Sequence, residues 1–129
     1  TNFLDEPGVM WLWAGVPGFS KFGDYIGNNN ADGPMIHCGF RPAFVLIKNV
    51  ATSNRDWMLF DSARDTYNAV GTYIRPDTTD TDSTSGSFTL DFTANGFKVR
   101  GANSFFNESG KSHVFMAFAE APFKYANAR

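Results

Sequence analysis

Cysteine is nearly absent: Cys38 is the single one in 129 residues. A lone thiol excludes an intrachain disulfide framework and any multi-cysteine metal site. It leaves an interchain bridge as the one disulfide open to the chain. Charge is also scarce, at 19% of residues, and nearly balanced, with a formal net charge of −2. The 11 Lys and Arg are scattered singly. Clustered basic residues, which would meet a nucleic-acid backbone or an anionic membrane surface, are missing. Long apolar runs are missing too. The longest, over residues 9–16, falls far short of the ~20 residues that span a bilayer. It also lacks the basic flank and cleavage pattern of a secretory signal. Neither nucleic-acid binding nor membrane insertion is expected. Helical periodicity does not extend beyond about one turn anywhere, and no internal repeat recurs at a fixed period.

Aromatic residues fill the space left by these absences. There are 14 Phe, 3 Trp and 4 Tyr. Each aromatic carries on the order of 150–250 Å² of surface that can be buried, and aromatics suit pleated, half-buried strands. Gly, Asn, Asp, Ser and Thr recur between the apolar runs and punctuate them as turns. The length is that of one domain, which buries roughly two-thirds of the unfolded chain's surface. The expected fold is all-β: a compact antiparallel β-sandwich, jelly-roll-like, of about seven to nine short strands.

Along the chain, residues 9–16 place Met10, Leu12 and Ala14 opposite Trp11 and Trp13, so both faces are apolar. Such a segment is expected to be a core strand buried on both faces, or else packed on a neighbouring subunit. Short strands follow over 19–25 and 35–38, separated by a Gly-, Asn- and Pro-rich turn at 27–34. Residues 43–50 form the best strand by β-branched and aromatic content. Residues 56–61 are its antiparallel partner across a short connection. A weak strand over 70–75 precedes a polar loop at 76–86, expected to be exposed. Residues 87–93 and 96–100 read as a hairpin whose tight turn is Asn95-Gly96 with positive φ. A second polar loop spans 101–111. The last long strand, 112–119, sets Val114, Met116 and Phe118 on one face against Phe115, Ala117 and Ala119, with Phe118 expected in the core.

Reactive constellations are thin. His37 and Cys38 are strand neighbours and point to opposite faces, so they form no nucleophile–base pair. Cys38 with His113 is the one geometric alternative; a buried thiol and a surface or hydrogen-bonded imidazole are the plainer expectation. Asp56 and Asp61 would lie about 17 Å apart along a strand, too far for paired carboxylate chemistry. They suit a turn end and a cap. Asp77, Asp80 and Asp82 resemble half of a calcium loop but lack its spacing, central Gly and terminal Glu. Gly15 and Gly18 do not precede a helix and make no dinucleotide fingerprint. Asn107-Glu108-Ser109 fits a glycosylation sequon. No catalytic residue, metal or cofactor is expected, and enzymatic activity is not. Trp57, Tyr67 and Tyr73 stand nearest the polar loops and are the candidate sugar platforms.

Three phrases in order carry a resemblance. The first is Gly18-Phe19-Ser20-Lys21-Phe22-Gly23-Asp24-Tyr25-Ile26-Gly27-Asn28, running on to Ala31-Asp32-Gly33-Pro34. The second is Gly39-Phe40-Arg41-Pro42-Ala43-Phe44-Val45-Leu46-Ile47-Lys48, followed by Asp56-Trp57. The third is Asn95-Gly96-Phe97-Lys98, with Met116-Ala117-Phe118-Ala119-Glu120-Ala121-Pro122-Phe123-Lys124. Together they resemble a C-terminal domain of unknown function found in tailed-bacteriophage tail fibre and other virion structural proteins. The resemblance transfers no catalytic or ligand residue. It implies residues 18–129 as one β-sandwich domain and residues 1–17 as a lead-in strand or linker from an upstream part. Thr1 in place of an initiating Met is likewise expected of a piece of a longer polypeptide. The implied setting is an exposed virion surface and the implied assembly a homotrimer. Implied partners are other virion proteins and a host cell-surface glycan or protein. The alternatives are a purely architectural capsid-decoration or baseplate protein and, more remotely, a polysaccharide depolymerase.

Overall fold

The computed structural model of the chain describes residues 10–122. Nine strands run in the order β1 (Ser20–Ile26), β2 (Met35–His37), β3 (Pro42–Asn49), β4 (Met58–Asp61), β5 (Thr72–Ile74), β6 (Ser83–Thr84), β7 (Leu90–Thr93), β8 (Gly96–Val99) and β9 (Ser112–Ala119). They form two antiparallel sheets, one ordered β1-β9-β3-β4-β5-β6 and the other β2-β8-β7. The described residues contain no helix. The all-β sandwich expected from the aromatic and turn content is the fold observed.

Alternation explains the strand assignments. In β3, Val45, Ile47 and Asn49 are buried while Phe44, Leu46 and Lys48 are only partly so. In β9, His113, Phe115 and Ala117 are buried. The β3–β9 register puts Val45 beside Ala117 and Ile47 beside Phe115, so these residues share the inner face. Met58, Phe60 and Tyr73 continue that face on β4 and β5. The small sheet answers with Ile36, Leu90, Phe92, Phe97 and Val99. Phe97 joins the two layers: its ring meets Phe115 edge-on at 5.4 Å and Tyr25 at 6.4 Å. Phe106 closes the core from a loop, 5.7 Å from the Phe60 ring. Each such side chain contributes about 1.5–3 kcal/mol by burial.

Several local expectations change. Phe118 faces out of the sandwich, because β9 is two-sided and its inner positions are His113, Phe115 and Ala117. The hairpin β7–β8 forms, but its loop is Ala94-Asn95, with Thr93 paired to Gly96. Neither Asn95 nor Gly96 has positive φ. Gly96 is required for another reason: a Cβ there would lie 1.9 Å from the Ile36 carbonyl oxygen. Glycine lets β2 and β8 approach closely. The loop expected over 76–86 contains β6, a two-residue pairing with β5.

The largest correction concerns the N-terminal segment. Its described part, 10–16, is an extended arm outside the named strands and not a core strand; Val9 lies outside the described residues. Met10, Trp11 and Leu12 are 80%, 76% and 85% exposed. Apolar side chains on both faces would suit burial, yet the chain reverses before the arm can enter the core. Gly18, at φ 73°, turns it so that Val16 bridges to Ser20. The Ser20 hydroxyl donates to the Ala14 carbonyl and accepts from the Val16 amide, each at 3.1 Å. Trp13 is thereby laid on the outside of β1 and β9, its ring 6.4 Å from Phe22 and 5.9 Å from Phe118.

Candidate functional site on the outer sheet face

The registers place residues in rows across the outside of the six-stranded sheet. Phe22, Met116, Leu46, Leu59 and Ile74 are successive cross-strand neighbours on β1, β9, β3, β4 and β5. All five are partly exposed. Phe118, Phe44 and Asp61 form the next row. Five strands at roughly 4.8 Å spacing make an apolar stripe about 19 Å long.

Trp57 stands beside the stripe, one residue before β4, and is partly exposed. Its backbone N–H donates to both Asp77 carboxylate oxygens, at 3.1 and 3.2 Å. The Lys48 ammonium lies 5.8 Å from its ring centroid and 4.0 Å from Asp77, and donates to the Arg55 carbonyl. A shallow pocket of about 260 Å³ is lined by Leu46, Trp57, Pro76 and Asp77. Arg75 spans Asp56 at 3.1 Å and Asp80 at 2.5 Å close by. An aromatic ring with an ammonium over one face and a carboxylate lining the same pocket is suited to a polar ligand that has an apolar face, as pyranose sugars have.

The other two platform candidates lie elsewhere. Tyr73 is buried on the inner face, stacked on Phe88 at 4.8 Å, and packs the core. Tyr67 is 86% exposed on the loop after β4. Its neighbour Asn68 grips the Phe92 backbone, donating to its carbonyl and accepting from its amide, each at 2.9 Å. Trp57 and Tyr73 are thus on opposite sides of one sheet, and no single surface unites the three.

The remaining sequence candidates have structural partners. Asp61 accepts from the amides of Ala63 and Arg64 at 3.0 and 2.9 Å and pairs with the Arg64 guanidinium, so it caps the following turn. Asp77, Asp80 and Asp82 each face a cation, namely Lys48, Arg75 and Arg64. Burial pushes the Cys38 thiol up to about 11, which keeps it protonated and a poor nucleophile near neutrality. Asn107 is fully buried. Its side chain accepts from the Asn28 amide and donates to the carbonyls of Asn30 and Gly101, all at 2.9 Å. A sequon asparagine so held cannot be glycosylated in the folded protein, and the same bonds tie loops 27–34 and 101–111 together. Sequence reasoning missed this clip because its partners are far apart in the chain.

His113 was expected to be hydrogen-bonded or on the surface; it is hydrogen-bonded and buried. Its Nδ1 lies 3.0 Å from the Lys111 carbonyl, its ring stacks on Tyr25 at 5.1 Å, and its Nε2 has no partner among the described residues. Asn49 and Tyr25 flank it across the strands, and Glu108 is the nearby carboxylate. Burial holds its pKa below the ordinary 6.5, against the opposing pull of the Lys111 carbonyl and Glu108. Below about pH 6.5 the unfolded chain therefore takes up a proton that the folded chain refuses. Stability is expected to fall as pH drops from that point toward the folded-state pKa. Denaturant midpoints measured at several pH values should show this decline in the native chain and lose most of it in His113→Gln. An equal slope in both would assign the effect elsewhere. The depressed carboxyls of Glu108 and Asp65 act in a lower pH window.

No curated protein matches the chain, and no solved structure does. A family model does match, over residues 1–122, a span that takes in both the arm and the sandwich. The chain accordingly belongs to the family described as a domain of unknown function, DUF7483.

Proposed function

We propose that the chain is a structural module of a bacteriophage virion, a tail-fibre domain that assembles as a homotrimer and contributes to adhesion to the host surface. The ordered phrases of the sequence motivate the virion setting. The observation that carries adhesion is the meeting of Trp57 with Pro76 and Asp77 of loop 76–86 around a shallow pocket. Loops on a stiff β-scaffold are where recognition is commonly placed. A host glycan is the partner whose chemistry fits an aromatic ring that shares a pocket with Asp77 and carries Lys48 over one face. Weak single sites would act together through linked copies.

The test is glycan-array and host-cell binding by the assembled protein, alongside Trp57→Ala. Binding is expected to fall by on the order of tenfold or more in the variant, while the subunit stays folded with a loss of about 1–2 kcal/mol for a partly buried ring. Absence of glycan and cell binding, with binding to other virion proteins, would favour a purely architectural role; the apolar stripe beside Trp57 is the observation that points that way. Release of reducing sugar, abolished by one carboxylate substitution, would instead establish a depolymerase.

A further inference from the structure

The arm and the stripe are both apolar and both left open. Exposed apolar surface of this extent marks an interaction site. Trp13 covers only the end of the stripe over β1 and β9. The part over β3, β4 and β5 remains a groove of about 510 Å³, lined by Phe44, Leu59, Asp61, Ala63, Arg64 and Ile74. Its floor is apolar, and the Asp61–Arg64 ion pair forms its polar rim.

Residues 10–12 of the same chain do not fill it. They are 76–85% exposed. Trp13, pinned on β1 and β9, sets their reach. Three extended residues cover about 10 Å, which falls short of the β5 side of the groove, about 14 Å from β9 at ordinary strand spacing; over β3 and β4 it is the exposure of residues 10–12 that shows them not to be seated. We infer that the groove is occupied by the Met10-Trp11-Leu12 segment of a second copy of this chain, each copy giving one arm and receiving one.

The chemistry matches on both sides. Met, Trp and Leu enter a slot floored by Phe, Leu and Ile, and aromatic and Met side chains are favoured at such interfaces. Area argues for closure. Seating three large side chains removes on the order of 450 Å² from the arm and a similar area from the groove. A single one-way contact of about 900 Å² is below the size of a stable interface. Two copies that exchange arms reciprocally put two such contacts, about 1,800 Å², into one interface, which is within that range; in a larger ring each copy is instead held by two one-way contacts at once. Open-ended chains leave a terminal arm and a terminal groove wet, so a closed set of copies is preferred.

Sedimentation at tens of micromolar tests the inference. The native chain is expected to be a discrete oligomer. Trp11→Ser combined with Leu12→Ser alters only exposed side chains and should leave the unfolding midpoint of the subunit in place. It is expected to weaken self-association by on the order of 100-fold or more. Ile74→Arg, at the groove, should do the same. A monomeric native chain overturns the inference. So does an arm variant that associates as tightly as the native chain, which would indicate packing of stripe on stripe. The inference does not require a phage setting. A monomer that binds glycans through Trp57 would end it and leave adhesion standing; an arm-linked oligomer that binds neither glycan nor host cell would do the reverse.

Discussion

Phe97→Ala is expected to lower the free energy of unfolding by about 3–5 kcal/mol. Phe97 is fully buried on the inner face of β8. Its ring is held by Phe115 of β9 and Tyr25 of β1. Truncation would leave a void between two sheets, each held stiff in its own plane by hydrogen-bonded ladders, so collapse around it is poor. Tyr25 would lose an edge contact while its hydroxyl stays tied to the Phe106 carbonyl, which further limits relaxation. Phe118→Ala is the contrast. Phe118 touches Trp13, Phe19, Phe22 and Phe44 on the outer face, where it is only partly buried. Its loss should cost about 1–2 kcal/mol in the isolated subunit. Urea denaturation of both variants measures the difference. Equal losses would mean that β9 is not two-sided in the way described.

Asn107→Ala is expected to cost about 3–4 kcal/mol, more than is usual for a polar residue in a loop. The side chain satisfies the Asn28 amide and the carbonyls of Asn30 and Gly101. Its own backbone carbonyl accepts from the Asn29 amide at 2.7 Å. Alanine removes three hydrogen bonds at a site with no exposure and leaves their partners unpaired. Asn107→Asp should be no milder. It keeps an acceptor for Asn28 but turns a carboxylate oxygen toward two carbonyls. Amide exchange offers a local readout: protection at Asn28 should drop well before that of β3 and β9. Native-like stability and exchange in the alanine variant would show that the two loops are joined by other means.

The strands of the main sheet were legible as strands because their β-branched and aromatic runs are bounded by turn residues. Which face is buried was not: β3 and β9 are apolar on both sides, and Phe118 was expected where Phe115 and Ala117 pack. The pairing of β3 with β4 followed from the short connection between them, whereas that of β3 with β9, far apart in the chain, did not. The arm was misread because alternation has meaning only when one face is polar. Met10, Trp11, Leu12 and Trp13 are apolar throughout, which is equally compatible with a core and with a surface awaiting a partner. Gly96 was read as a turn glycine because Asn-Gly is a turn signal; its close approach to Ile36 depends on a strand 60 residues away in sequence. At the candidate site, Trp57 stood out as an aromatic near polar loops. Its partners did not. Lys48 stands near the end of the strand expected over 43–50 and Asp77 in the loop expected to be exposed, and only the sheet brings them to one ring. Asn107 was visible only as a sequon, since nothing in Asn-Glu-Ser announces burial.

The edges of the six-stranded sheet bear on how copies can meet. At one edge β6 has two residues, Ser83 and Thr84. At the other, β1 exposes Lys21 and Asp24, and the folded-back arm bridges to Ser20 at its start. The two-residue β6 offers no long row of free amides and carbonyls to an incoming strand, and on the longer β1 edge the Lys21 and Asp24 charges oppose one, which is how proteins avoid continuous, amyloid-like growth. Backbone addition is thus discouraged in the plane of the sheet, while the exposed side chains stand perpendicular to it. A protein built this way can be crowded along a particle or filament and still join its neighbours through specific, reversible side-chain contacts, without templating a cross-β fibre.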